Sequence, residues 1–180
     1  MYTPDFKITP KITEYLTQIG IIYGYLKSTP LPTKYQKEYQ NRILSEIIHS
    51  STAIEGNSLS EKQVRRVLKG DKIKGYERDV REVENYYKAI KYISGLPINT
   101  DFKISEEIIL KINKIILTGI RDEEAGKYRT KELYVGTYIP PKPKAVPILT
   151  AEFIVWLNNP IPHYLSPILY AGIAHYKLVA

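Results

Sequence analysis

Residues 50–57 read Ser-Ser-Thr-Ala-Ile-Glu-Gly-Asn. Hydroxyl side chains compete for backbone hydrogen bonds and suit helix interiors poorly. A glutamate in a last helical turn faces the negative end of the helix dipole, which costs a few tenths of a kcal/mol. Ser51 and Glu55 are four residues apart and so share one helix face. A carboxylate placed there can serve a cationic partner from another element, or it can end a solvated helix. Both readings stay open on spacing alone.

Two other stretches invite chemistry. Residues 133–149 carry Pro140, Pro141, Pro143 and Pro147 among apolar residues. Prolines exclude a helix interior and favour exposed sheet edges. An exposed edge could accept a partner's extended peptide, or the stretch could be a rigid loop. Residues 62–81 carry Lys62, Arg65, Arg66, Lys69, Lys72, Lys74, Arg78 and Arg81, with Glu61, Asp71, Glu77 and Asp79 interleaved. That mixture suits a solvated face, and the nucleic-acid reading is its alternative. His49, His163 and His175 are not at metal-ligand spacing, and His175 reads as a core residue of the last helix. No Gly-x-Gly-x-x-Gly, phosphate loop or His-Glu-x-x-His occurs.

The elements that must hold these residues are mostly helices. Ile12, Tyr15, Leu16, Ile19, Tyr23 and Leu26 recur at helical spacing, and Pro30 and Pro32 end that run. Tyr35 to Ile54 marks a longer helix that stops at Gly56-Asn57. Ser60 and Gln63 form a capping-box pattern before Val64, Val67 and Leu68. A helix over about 77–94 ends at Gly95, and another runs from Ser105 to Gly119. Residues 133–149 predict two extended arms. Thr150 is expected to cap a helix holding Phe153, Trp156 and Leu157, and Ser166-Pro167 to start the last one.

The 180 residues, 43% hydrophobic and 25% charged, fit one globular domain with a small addition. There is no cysteine, which excludes a disulfide scaffold, a thiol nucleophile and a cysteine zinc site. The formal charge of +7 admits an acidic partner but is satisfied by solubility alone. No apolar run reaches the roughly 18 residues of a spanning helix, so the expectation is a cytoplasmic protein with no membrane partner.

Taken together, the motifs resemble the Fic family. Ser51-x-x-x-Glu55-Gly56 resembles its inhibitory motif, (Ser/Thr)-x-x-x-Glu-(Gly/Asn). Gly126-Lys127-Tyr128-Arg129 resembles its Gly-x-x-Arg segment. Val135-Gly136 through Pro140-Pro141, then Val146-Pro147, resembles its flap. Trp156-Leu157-Asn158 and Ala174-His175-Tyr176 follow in family order. The resemblance runs from about residue 35 to the end.

The resemblance implies an all-α domain with a small β-hairpin flap. It implies an N-terminal helical region, residues 1–100, that contains the inhibitory helix, and a first part of the Fic core, residues 101–180. It implies AMP transfer from ATP, with Mg²⁺, to a Ser, Thr or Tyr hydroxyl of a target protein. Ser51, Glu55 and Gly56 would be inhibitory. Glu55, Val135, Gly136, Thr137 and Tyr138 would contact the nucleotide. Tyr138, Ile139, Pro140 and Pro141 would dock the target, and a homodimer fits the family. The family signature, His-Pro-Phe-x-(Asp/Glu)-Gly-Asn-Gly-Arg, is expected where this sequence ends at Ala180. Residues 1–180 therefore supply no catalytic residue and no metal ligand, and by themselves are expected neither to bind ATP productively nor to transfer AMP. A regulator that silences a Fic partner in trans and a basic nucleic-acid-binding module remain alternatives.

Overall fold

A computed structural model describes every residue except Met1, Pro30, Leu31, Thr100, Val135 and Ala180. The chain forms seven α-helices among the described residues, in two compact units. One unit is Lys34–Glu132; the other joins Met1–Thr33 to Leu133–Ala180. Helices α4 (Glu77–Ser94) and α5 (Glu106–Leu117) pack together across the expected 100/101 division.

The 34–132 unit is built on α2 (Thr33–Ile54), α3 (Glu61–Leu68), α4 and α5. Its core is Ile48, Leu59, Val64, Val67 and Val83, all buried. Leu44, Val80, Tyr86, Tyr87 and Ile90 pack around them. These residues recur at helical spacing, so each helix turns one apolar stripe inward. Helix α3 is short and relies on its capping box. Ser60 accepts from the Gln63 N–H at 3.4 Å, and the Gln63 side chain accepts from the Ser60 N–H at 2.9 Å. The end of α5 is clipped to α4, because the buried Asn85 amide donates to the Ile116 and Thr118 carbonyls at 3.1 and 2.7 Å. Those carbonyls would otherwise be orphans of a helix end.

The other unit holds α1 (Pro10–Ser28), α6 (Val146–Leu157) and α7 (Pro167–Val179). Thr9 caps α1, and Pro10 occupies its first turn. Of the two prolines expected to end α1, Pro30 lies outside the described residues. Helix α6 starts earlier than expected, at Val146 rather than after Thr150. Pro147 sits in its first turn, where a missing N–H costs nothing. Thr150 is therefore interior, and its hydroxyl donates to the Val146 carbonyl at 2.9 Å. His175, expected in a core, is exposed.

Residues 133–142 hold the expected excursion, with pairing limited to a single bridge residue among those described. A turn at Gly136-Thr137 is followed by a single bridge residue, Tyr138, and no strand occurs among the described residues. Pro140, Pro141 and Pro143 have no N–H to give a ladder. The fold class is all-α, with the flap reduced to extended arms and a turn.

Trp156 organises α6 and α7. Tyr170 stacks on it at 4.3 Å between centroids and donates its hydroxyl to the Trp156 carbonyl at 2.9 Å. Tyr2 meets the same indole edge-on at 5.3 Å. Burial pushes the Tyr170 phenol above its usual pKa. The folded state therefore holds the proton more tightly than the unfolded chain, and this contribution is present below about pH 10 and lost as pH rises further. Tyr170→Phe is expected to cost about 1 kcal/mol at pH 7 in urea unfolding. The gap between the two proteins should narrow as pH rises past about 10.

Candidate functional site

The end of α2 is fixed by its own backbone. The Gly56 N–H bonds to the Ala53 carbonyl at 3.0 Å, and the Asn57 N–H to the Thr52 carbonyl at 3.1 Å. Gly56 has φ +91°, a left-handed conformation. Together these make a Schellman motif, with Glu55 as the C-cap and Gly56 just beyond it. The Glu55 N–H bonds to Thr52 at 3.0 Å, one residue nearer than an α-helical partner. So Ser51 and Glu55 straddle a tightened last turn rather than two regular α turns.

Thr52 explains why hydroxyls are tolerated here. It is buried, and its Oγ1 donates back to the Ile48 carbonyl at 2.9 Å. Ser51 is half-buried, while Glu55 and Gly56 are exposed. The Glu55 carboxylate has no hydrogen bond or ion pair among the described residues. It thus sits at the negative end of α2 with nothing to offset the dipole.

The loop after Gly56 is tied to the first turns of α4. Asn57 is 8% exposed and donates its amide to the Asp79 carbonyl at 3.0 Å and to Glu82 Oε2 at 2.7 Å. Its own Oδ1 accepts from the Leu59 N–H at 3.1 Å. The Ser58 N–H donates to Asp79 Oδ2 at 3.0 Å, and the Ser58 hydroxyl donates to the same oxygen. Glu55 is consequently held from both sides, by α2 before it and by α4 after it. The sequence reading named Asn57 as part of the helix stop and Asp79 as an interleaved acid, and missed Ser58, Glu82 and the clasp that joins all four. Asp79 read as one of the acids on a solvated face, and only Asn57, within the helix stop itself, carried a signal.

A second anchored turn carries the Gly-x-x-Arg segment. Gly126 has φ +74°, and its N–H donates to Asn113 Oδ1 of α5 at 2.8 Å. A Cβ there would lie 3.0 Å from the Lys114 Cβ. Only glycine fits both demands.

The expected flap residues lie in the other unit. Gly136, Thr137, Tyr138 and Ile139 are exposed, and Pro140 and Pro141 are half-buried. Val135 lies outside the described residues. Among the described residues, no cluster of three or more His, Asp or Glu side chains could hold a metal ion. The residues expected at the nucleotide do not by themselves fit a triphosphate with Mg²⁺. Glu55 is an acid with no cation beside it, and Gly136 offers only an open turn. In residues 62–81, Arg65 pairs with Glu61, and Arg66 pairs with Asp71 at 3.0 Å. Acids thus occupy part of that basic face. Among the described residues, no helix is long and apolar enough to cross a membrane.

Residues 103–180 match the Fic/DOC family. The chain is 35% identical over 134 residues to "Protein adenylyltransferase Fic" of Culex quinquefasciatus, a match that spans 73% of this chain and 27% of that protein. It is 36% identical over 135 residues to "Protein adenylyltransferase fic-1" of Caenorhabditis briggsae, again 73% of this chain and 27% of that one. Among solved structures, a Fic family protein from Desulfovibrio desulfuricans G20 superposes with a TM-score of 0.76 at 30% identity, covering 98% of this chain and 53% of that one. Fic-1 from C. elegans gives a TM-score of 0.78 at 28% identity, covering 95% and 52%. The chain spans about a quarter of the length of the curated relatives and about half of these solved chains.

The loop geometry makes its own prediction. Asn57→Ala leaves two acceptors without their donor and is expected to cost about 1–3 kcal/mol. Gly56→Ala must adopt a left-handed backbone and should cost about 1–2 kcal/mol. Urea unfolding of the 180-residue chain checks both. Losses below about 0.3 kcal/mol would mean the loop is not held as described.

Proposed function

The chain belongs to the Fic/DOC family through residues 103–180, and from that premise we propose that it is the inhibitory and flap-bearing part of a protein adenylyltransferase. The reaction moves AMP from ATP, with Mg²⁺, to a Ser, Thr or Tyr hydroxyl of a target protein. A cytoplasmic setting and a homodimer complete the reading. One observation carries it. Glu55 presents a carboxylate without a partner from a backbone position fixed by both α2 and α4.

Such a group is built to receive a cation from elsewhere. In the family that cation is the last arginine of the signature, which otherwise holds the terminal phosphate of ATP. Glu55 would act as a brake by taking that arginine away. A misplacement of about 1 Å can cost about 10²-fold in rate, so one ion pair suffices to silence transfer. Ser51 and Gly56 serve the same end by shaping the turn. Tyr138, Ile139, Pro140 and Pro141 would offer an exposed, extended main chain to a target segment. Gly136 and Thr137 would lie on the nucleotide side of that turn.

The test uses a protein carrying residues 1–180 followed by the family signature. Glu55→Gly is expected to raise incorporation of label from ATP about 10- to 100-fold, in line with a released misplacement. Glu55→Gln, which keeps the shape and loses the charge, should fall between. Residues 1–180 without the signature should incorporate none. Equal labelling by the parent and Glu55→Gly would overturn the brake.

A further inference from the structure

A concavity within the 34–132 unit is used by none of the above. It lies where α2, α3 and α4 meet and has a volume of about 120 Å³. Leu44 and Leu68, which pack on the buried core, line it together with Asn41, Ser45, Arg65, Lys69 and Tyr87. Its lining holds two cations and no carboxylate.

The donors are largely uncommitted. The Lys69 ammonium, the Asn41 amide and the Tyr87 hydroxyl have no hydrogen bond or ion pair among the described residues. Lys91 stands over the Tyr87 ring at 5.7 Å and adds a third positive charge nearby. Arg65 gives one nitrogen to Glu61, and a guanidinium has five N–H donors, so others remain. Ser45 is 4% exposed, and its hydroxyl is spent on the Asn41 carbonyl at 2.7 Å. Of the lining side chains, Lys69, Asn41 and Tyr87 therefore have neither acceptor nor counter-charge among the described residues, and Arg65 shares its charge with Glu61.

Size limits the ligand. A water takes about 30 Å³ in the liquid, so the space equals roughly four waters. Pockets for drug-sized ligands measure about 300–1,000 Å³, so this concavity has room for one small group and not for a whole nucleotide. We propose that this concavity binds one tetrahedral oxyanion, a phosphate or the phosphoryl group of a monoester, with Arg65 and Lys69 as charged contacts and Asn41 and Tyr87 as neutral donors. A guanidinium fork suits phosphate oxygens, and the ammonium adds a point charge. The site is independent of the brake and of AMP transfer.

The test is an amide NMR titration of the 180-residue chain with sodium phosphate at pH 7, with ionic strength held constant by sodium chloride. Saturable shifts confined to residues near 41–45, 65–69 and 87 are expected. Lys69→Ala and Arg65→Gln should each weaken binding at least about 10-fold, the scale of a lost charge-assisted hydrogen bond. Both side chains are exposed, and circular dichroism of each variant checks that it stays helical. A parallel arm with O-phosphoserine separates the sources. Tighter phosphate binding assigns the free ion, and tighter phosphoserine binding assigns a phosphorylated side chain. Shifts that do not saturate, that appear equally in chloride alone, or that survive both substitutions would overturn the site.

Discussion

The placement of Glu55 depends on where α2 stops. Its last carbonyls need donors, and the Schellman bonds from Gly56 and Asn57 supply them. That closure demands a left-handed residue at 56, which glycine adopts without a steric penalty. Once the helix closes there, Glu55 has one backbone position. Asn57 then enters the protein and meets α4, which turns a local helix stop into a tertiary joint. A glutamate on a fraying end would sample many directions. This one has a fixed root and an exposed, charged tip.

The joint also accounts for residues that looked odd in sequence. Thr52 is poor in an isolated helix, yet its hydroxyl bonds back to Ile48, and its carbonyl accepts from Asn57. Asp79 and Glu82 lie in the first turns of α4, where acids complement the dipole. They double as acceptors for the loop. Asp79 takes two bonds from Ser58 through one oxygen.

Much of this was legible in the sequence, because it is local. Helical periodicity located the helices, and capping chemistry located the starts of α3, α5 and α7 and the stops at Gly56 and Gly119. What failed needed tertiary context. The start of α6 was misplaced because Pro147 was read as a breaker, although a first-turn proline is compatible with a helix. His175 was placed in a core because its neighbours are apolar, yet α7 leaves it exposed. The Asn57–Glu82 bond spans 25 residues, and no periodicity could announce it.

The same contrast bears on how Glu55 should be understood. A solvated helix end requires nothing beyond a polar residue, and lysine or arginine would serve there better than glutamate. Nor does a solvated end require a buried asparagine and a serine–aspartate clasp just after it. The fold spends its polar contacts on fixing the root of an acid that it leaves without a counter-charge among the described residues. Such an arrangement disfavours the folded state by a few tenths of a kcal/mol at the dipole, unless a cation arrives. It becomes favourable only when one does. Positioning without local satisfaction is what the proposed brake asks of Glu55, and a plain surface charge does not require it.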